Sequence, residues 1–169
     1  MQENKGAAMR LVTTRDAIRL TGLSPDQLRE WTTRRALIPA DVKPKGHGSP
    51  AQFSWQTILL LRLAVTLRDR FKLELQSNQV LFNGLSEELK RVSFLSLWDR
   101  HLLLHGGAEW ELSGTSTTLD IKTDLIALKL NPHLQVLAEG FALPQPQPHI
   151  QFSLFAPASI SSPSRKAMG

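Results

Sequence analysis

Thr13-Thr14-Arg15-Asp16-Ala17-Ile18-Arg19-Leu20-Thr21-Gly22-Leu23-Ser24-Pro25-Asp26-Gln27-Leu28-Arg29-Glu30-Trp31 decides how the N-terminal half is read. Thr13 with Asp16 resembles a capping box in which Asp stands in for Glu, and Ser24 with Gln27 is the fuller form. Pro25 falls at a first helical position, where a missing N–H is harmless. Gly22 follows the last periodic residue of the first segment, where helices stop in a left-handed turn. Two short helices joined by a tight turn result, with Ala17, Ile18, Leu20, Leu23, Leu28 and Trp31 available to close a small core between them.

Outward from this pair, a loop rich in Lys, Gly, Pro and His spans Lys43 to Gly48 and leads to Gln52-Phe53. A long helix then opens at Ser54, with Ile58, Leu59, Leu61, Leu63, Val65 and Leu67 on a wide apolar arc. A helix apolar nearly all round is buried, here between the first two helices and the C-terminal half. Arg68, Asp69 and Arg70 mark its exposed end. Helix, turn, helix and basic loop are the parts of a winged helix-turn-helix, expected over residues 11–76.

The same stretch resembles the MerR family of DNA-binding regulators. The family pattern runs through a Gly turn, Ser-Pro, Leu-Arg and an aromatic pair to a Gly-Leu-Leu/Ile-Pro exit. Here it reads Thr21-Gly22-Leu23-Ser24-Pro25-Asp26-Gln27-Leu28-Arg29-Glu30-Trp31, then Arg35-Ala36-Leu37-Ile38-Pro39, and Gln52-Phe53-Ser54-Trp55 stands for the Arg-x-Tyr-Ser/Thr element after the wing. The resemblance covers about 60 of 169 residues. Glu30 replaces the first aromatic, the exit is one residue longer with Ala36 where Gly is usual, and Gln52 replaces the wing-end Arg. The resemblance implies a second helix, Pro25 to about Arg35, in the major groove and a wing on the flanking backbone. With Gln52 in place of the Arg, wing phosphate contacts pass to Lys43, Lys45 or His47. Relatives bind as dimers through a long antiparallel helix and distort promoter DNA.

Charge agrees with the motif. Residues 1–76 hold 13 Lys/Arg and 7 Asp/Glu, a net of +6, whereas residues 77–169 hold 7 and 8, a net of −1. A basic front half on a neutral back half fits a DNA-contacting module joined to something else. Arg29, Arg34 and Arg35 are the expected contacts of the second helix, since Arg pairs with guanine edges and phosphates. Ser24 and Gln27 sit at its start. Thr14 and Arg15, at the start of the first helix, suit phosphate binding at a helix N-terminus. Lys43, Lys45, His47 and Gln52 belong to the wing. Against each stands a plainer reading, that of a solvated basic face and a surface loop. Trp31, Phe53 and Trp55 read as core rather than base-stacking residues.

The rest of the chain carries structural signals. Residues 1–10 read as a flexible arm and 157–169 as a disordered tail rich in Ser, Pro and Ala. Residues 77–105 read as helical, with breaks at Ser77-Asn78 and Asn83-Gly84, a helix start at Ser86-Glu87-Glu88, and a stripe of Leu89, Val92, Leu95, Trp98 and Leu102 ending at Gly106-Gly107. The period then becomes two, through Trp110/Leu112, Leu119/Ile121 and Ile126/Leu128/Leu130, as in short strands. Pro132 to Phe141 fits a helix or a strand. Pro144 to Pro148 is an extended spacer, and Ile150, Phe152 and Leu154 alternate once more. The fold class expected is α+β: a winged helix-turn-helix, then helix and short antiparallel strands over residues 77–156, with homodimerisation or contact with a protein partner assigned to that region.

Several classes are disfavoured. With no cysteine, disulfides, thiolate metal sites and cysteine redox sensing are excluded. No run approaches the ~20 apolar residues that span a bilayer, and Met1 to Lys5 lacks a signal-peptide core, so the cytoplasm is expected, on the nucleoid when DNA is bound. His101 and His105, four apart on the expected helix, share a face, but a solvated or partner-facing pair outweighs a metal site. No phosphate loop, nucleophile elbow or acid–base pair is evident, so no enzyme and no cofactor are expected. The partner expected is double-stranded DNA. Other readings of the same scaffold are an architectural DNA-binding factor, as in excisionases and phage packaging subunits, or a protein-interaction module.

Overall fold

The computed structural model describes residues 10–46, 48–106, 108–114 and 124–146. The architecture is α+β, with five α-helices and two small antiparallel sheets among the described residues. Strand β1 (Val12–Thr13) leads into α1 (Thr14–Thr21) and α2 (Pro25–Arg29). Strand β2 (Gln52–Phe53) pairs with β1 and runs into α3 (Trp55–Phe71). Helix α4 (Gln79–Leu89) follows, then β3 (His101–Gly106), β4 (Glu109–Leu112), β5 (Ile126–Lys129) and α5 (Asn131–Phe141). In the larger sheet β3 is central, antiparallel to β4 and to β5.

The turn between α1 and α2 follows its sequence signals. Gly22 has φ of 74° and its N–H donates to Ile18 O at 2.9 Å, a left-handed stop that only Gly adopts without strain. Ser24 Oγ accepts from Gln27 N–H at 3.2 Å, and Gln27 Oε1 accepts from Ser24 N–H at 3.1 Å, completing the capping box. The Thr13 box does not form. Its hydroxyl donates to Asp16 Oδ2 at 3.2 Å instead of accepting from the backbone, since Asp is one carbon too short to reach back.

Helix α2 continues through a π-turn, Glu30–Arg34, closed by Arg35 N–H to Glu30 O at 2.8 Å. A π-turn absorbs one extra residue without breaking the helix. Ala36, at φ of 50°, makes the left-handed step out. Ile38 N–H returns to Trp31 O at 3.2 Å.

One core joins the N- and C-terminal halves. Helix α3 packs against α1, α4 and α5, and eight of its apolar side chains, from Trp55 to Leu67, are buried. Its Arg62 lies in this apolar surface and donates to Leu20 O, the negative end of α1, through Nη1. Arg68, expected at an exposed end, is only 32% exposed and lies over the Trp31 ring at 4.9 Å. Helix α5 answers the open choice over Pro132 to Phe141. Pro132 sits in its first turn, and Leu134, Leu137, Ala138 and Phe141 are buried. Its Gly140 abuts α1: a Cβ there would stand 2.6 Å from Leu20 Cδ2.

Residues 77–105 depart from the helical expectation. Helix α4 begins at Gln79 and runs straight through Asn83-Gly84, and Ser86-Glu87-Glu88 lies inside it. Gly84 is present for closeness, since a Cβ there would meet the Trp110 indole Nε1 at 3.0 Å. Turns follow, with one 3-10 turn at Leu95–Leu97, and Phe94 stacks edge-on between Trp55 and Trp98. From His101 the chain is a strand. Its centre, Leu102-Leu103-Leu104, is buried and flanked by strands on both sides, so it shows no alternation to distinguish it from a buried helix. The alternation expected at Trp110/Leu112 falls on β4. That at Ile126/Leu128 falls on β5, with Leu130 just beyond. The arm before Arg10, Leu119/Ile121, Ile150 to Leu154 and the 157–169 tail lie outside the described residues, as does the Gln147-Pro148 end of the spacer.

Candidate nucleic-acid interface

The expected contacts divide into groups with different freedom. Arg29, on the last turn of α2, is exposed and has no ion-pair partner among the described residues. Arg15 on α1 is likewise exposed and unpaired there. Thr14 is half-buried, and its hydroxyl reaches Ala51 O at 3.5 Å. Ser24 and Gln27 are exposed, but Oγ of the first and Oε1 of the second are used in the capping box, leaving the Gln27 amide nitrogen as the outward group.

Arg34 and Arg35 are tied to Glu30. Arg35 Nε donates to Glu30 Oε1 at 2.7 Å and Arg34 Nη1 to Glu30 Oε2 at 3.5 Å. The Arg35 hydrogen bond, with the charges of both arginines, holds the Glu30 carboxyl below the usual glutamate range. The sequence names both arginines as DNA contacts and assigns no role to Glu30. The signal available was Glu30 four residues before Arg34, the helical ion-pair spacing.

The loop is closed at its base. Val42 and Gln52 exchange two backbone hydrogen bonds, at 3.1 and 3.0 Å, while Gln52 also pairs with Thr13 on β1. Asp41 Oδ2 accepts from Ser54 N–H at 2.6 Å, which fixes the loop base to the start of α3. Lys43 and Lys45 are exposed beyond this closure, and Gly46 and Gly48 both take positive φ. Gln52 is half-buried, with its backbone committed to pairing. His47 lies outside the described residues. Trp31, Phe53 and Trp55 are all buried.

These elements converge on one groove of about 470 Å³. Arg29, Thr33 and Pro25 of the second helical segment, Pro44 and Pro50 of the loop and Thr14 of α1 all line it. Arg35 instead lines a separate recess with Arg68 and Glu74. The groove joins the start of α1, the exposed side of the second helix and the loop, and leaves the Glu30 cluster outside.

Among the described residues no three His, Asp or Glu side chains are grouped to hold a metal ion, and no helix is long and apolar enough to cross a membrane. His101 and His105 lie on a strand, not a helix, and His105 Nε2 faces Glu111 Oε1 at 3.5 Å. No protein-family model matches the chain, and no curated protein matches it.

Proposed function

We propose that this protein is a sequence-specific double-stranded-DNA-binding transcriptional regulator of MerR-like type. Residues 11–76 act as a winged helix-turn-helix, with α2 and its π-turn in the major groove and the 43–51 loop along the backbone. The observation that carries this reading is the convergence of exposed Arg29 and Thr33, the capped start of α2 and the basic loop on one groove. The net +6 of residues 1–76 supports it. Action in the cytoplasm, on the nucleoid, follows.

A single unit of this size reads few base pairs, so we infer a homodimer through the region after residue 76, which presents exposed Val80 and Leu95. Light scattering on the full chain, with and without DNA, reads this directly.

The test of function is duplex binding by the full chain. The first 76 residues share their core with α5, so the intact protein is used. Binding is expected to weaken steeply with salt, as counterion release requires. Sites selected from a random duplex pool should share a motif. Salt-sensitive binding without a motif would favour an architectural factor. No duplex binding at low salt would favour a protein-interaction module, a reading that the pairing of Arg34 and Arg35 with Glu30 supports.

A further inference from the structure

A second polar site lies where β3 begins and β5 ends. Asp99, Arg100, His101, Lys129 and Asn131 line a pocket of about 280 Å³. None of them belongs to the interface described above. The strand register sets His101 directly opposite Lys129, which puts two basic side chains on one face about 5 Å apart at Cβ. Arg100 lies beside them, and its Nε is buried without a hydrogen-bond partner. Neither Arg100 nor Lys129 forms an ion pair among the described residues. A buried cationic side chain without an acceptor is unfavourable. An anion in the pocket offsets the unpaired charge of Arg100 and Lys129, which both line it.

The walls are held in place without a ligand. Asp99 takes a left-handed φ of 60°, its N–H donates to Asn131 Oδ1 at 2.7 Å, and its Oδ1 accepts from Asn131 Nδ2 at 2.7 Å. Leu130 N–H donates to Arg100 O at 3.2 Å, and His101 N–H to Ser113 Oγ at 2.8 Å. A preformed pocket avoids the ordering cost of binding.

We propose that this pocket binds a phosphate that still carries a proton, either inorganic phosphate or a phosphate monoester. Arg100 and Lys129 supply the positive charge. Asp99 decides the class of anion, because its carboxylate accepts hydrogen bonds and repels an anion that has none to give. Near neutral pH inorganic phosphate keeps at least one proton and a monoester keeps one on part of its population, and that P–O–H donates to Asp99. Sulfate and phosphodiesters carry no such proton and meet repulsion from Asp99 that no hydrogen bond offsets, so the DNA backbone is not the preferred ligand of this pocket.

The experiment is a titration of the full chain with sodium phosphate at constant ionic strength, followed by backbone amide shifts. Saturable shifts are expected at Arg100, His101 and Lys129. Sulfate and dimethyl phosphate should bind at least about tenfold more weakly, the size of one charge-assisted hydrogen bond. Asp99→Asn keeps a side chain that tolerates the left-handed conformation, and it should bring sulfate close to phosphate. Arg100→Gln should abolish saturation, and Lys129→Gln, on an exposed strand position, should weaken it severalfold even if the Arg100 variant unfolds. Glycerol phosphate as a second probe tells the sources apart: tighter binding names a monoester, weaker binding the free ion. Absence of saturable shifts at these residues overturns the proposal. So does equal binding of sulfate and phosphate by the unaltered chain, or a response spread equally over Arg15, Lys43 and Lys45.

Discussion

Glu30 Oε1 accepts a hydrogen bond from Arg35 Nε at 2.7 Å, across five residues rather than the usual three or four. The π-turn between them makes that span possible, because it adds one residue to the helical repeat. Glu30 and the extra residue of the π-turn are therefore one structural feature. Glu30→Gln should release Arg34 and Arg35 and remove a negative charge from the helical segment that carries Arg29. Affinity for any duplex should rise severalfold at low salt, measured by fluorescence anisotropy. The thermal midpoint should hardly move, since exposed ion pairs contribute little. The Glu30 carboxyl lies below its usual range, so the pairing is complete above the ordinary glutamate range and is lost as pH falls through the lowered value. Unchanged affinity in the variant would mean that these arginines do not face DNA.

Arg29 and Lys45 should behave differently. Arg29→Ala removes an unpaired guanidinium beside the groove and should lower affinity by ~1–3 kcal/mol while relaxing sequence preference. Lys45→Ala, on the exposed loop, should weaken all sequences alike and reduce the salt slope by about 1. Selection from a random duplex pool, followed by salt titration, separates the two. Equal and sequence-independent losses would argue against direct readout by α2.

Gly140→Ala should destabilise the fold, although Ala is the better helix former by ~1 kcal/mol. The new Cβ would lie 2.6 Å from Leu20 Cδ2, and Leu20 is only 3% exposed, so its side chain has no solvent to move into. Overpacking of this kind costs ~1–3 kcal/mol in chemical denaturation. In the Leu20→Ala background the same substitution should become neutral or stabilising. Equal effects in both backgrounds would show that α1 and α5 do not meet at these residues.

His133 should make stability fall with acid. Burial, with Arg62 and Arg70 nearby on α3, lowers its pKa to about 4. The folded chain therefore keeps His133 neutral where the unfolded chain, near 6.5, takes up a proton. The contribution is complete above about pH 6.5, declines as pH falls, and levels off below about 4, a loss of up to roughly 3 kcal/mol. Denaturation curves at pH 7, 5.5 and 4 measure it, and His133→Leu should flatten the dependence. An unaltered pH profile in that variant would place the acid sensitivity elsewhere.

What the sequence determined by itself was local. Gly22, the Ser24/Gln27 box and Pro25 specify α1, the turn and α2 through backbone conformation and nearest hydrogen bonds, and such signals need no distant partner. The wide apolar arc of α3 announced its burial for the same reason. The basic loop was equally legible, as charge and glycine are visible residue by residue. Tertiary structure decided the rest. Leu102-Leu103-Leu104 became a central strand because β4 and β5 flank it, and a continuous leucine run carries no period that says so. Gly84 reads as a helix break, yet it and Gly140 both lie in helices, one against Trp110 and the other against Leu20. Arg62 interrupts an apolar helix because the last turn of α1 offers it a carbonyl. In each case the deciding partner is far away in sequence, so the information lies in the packing and not in the local pattern.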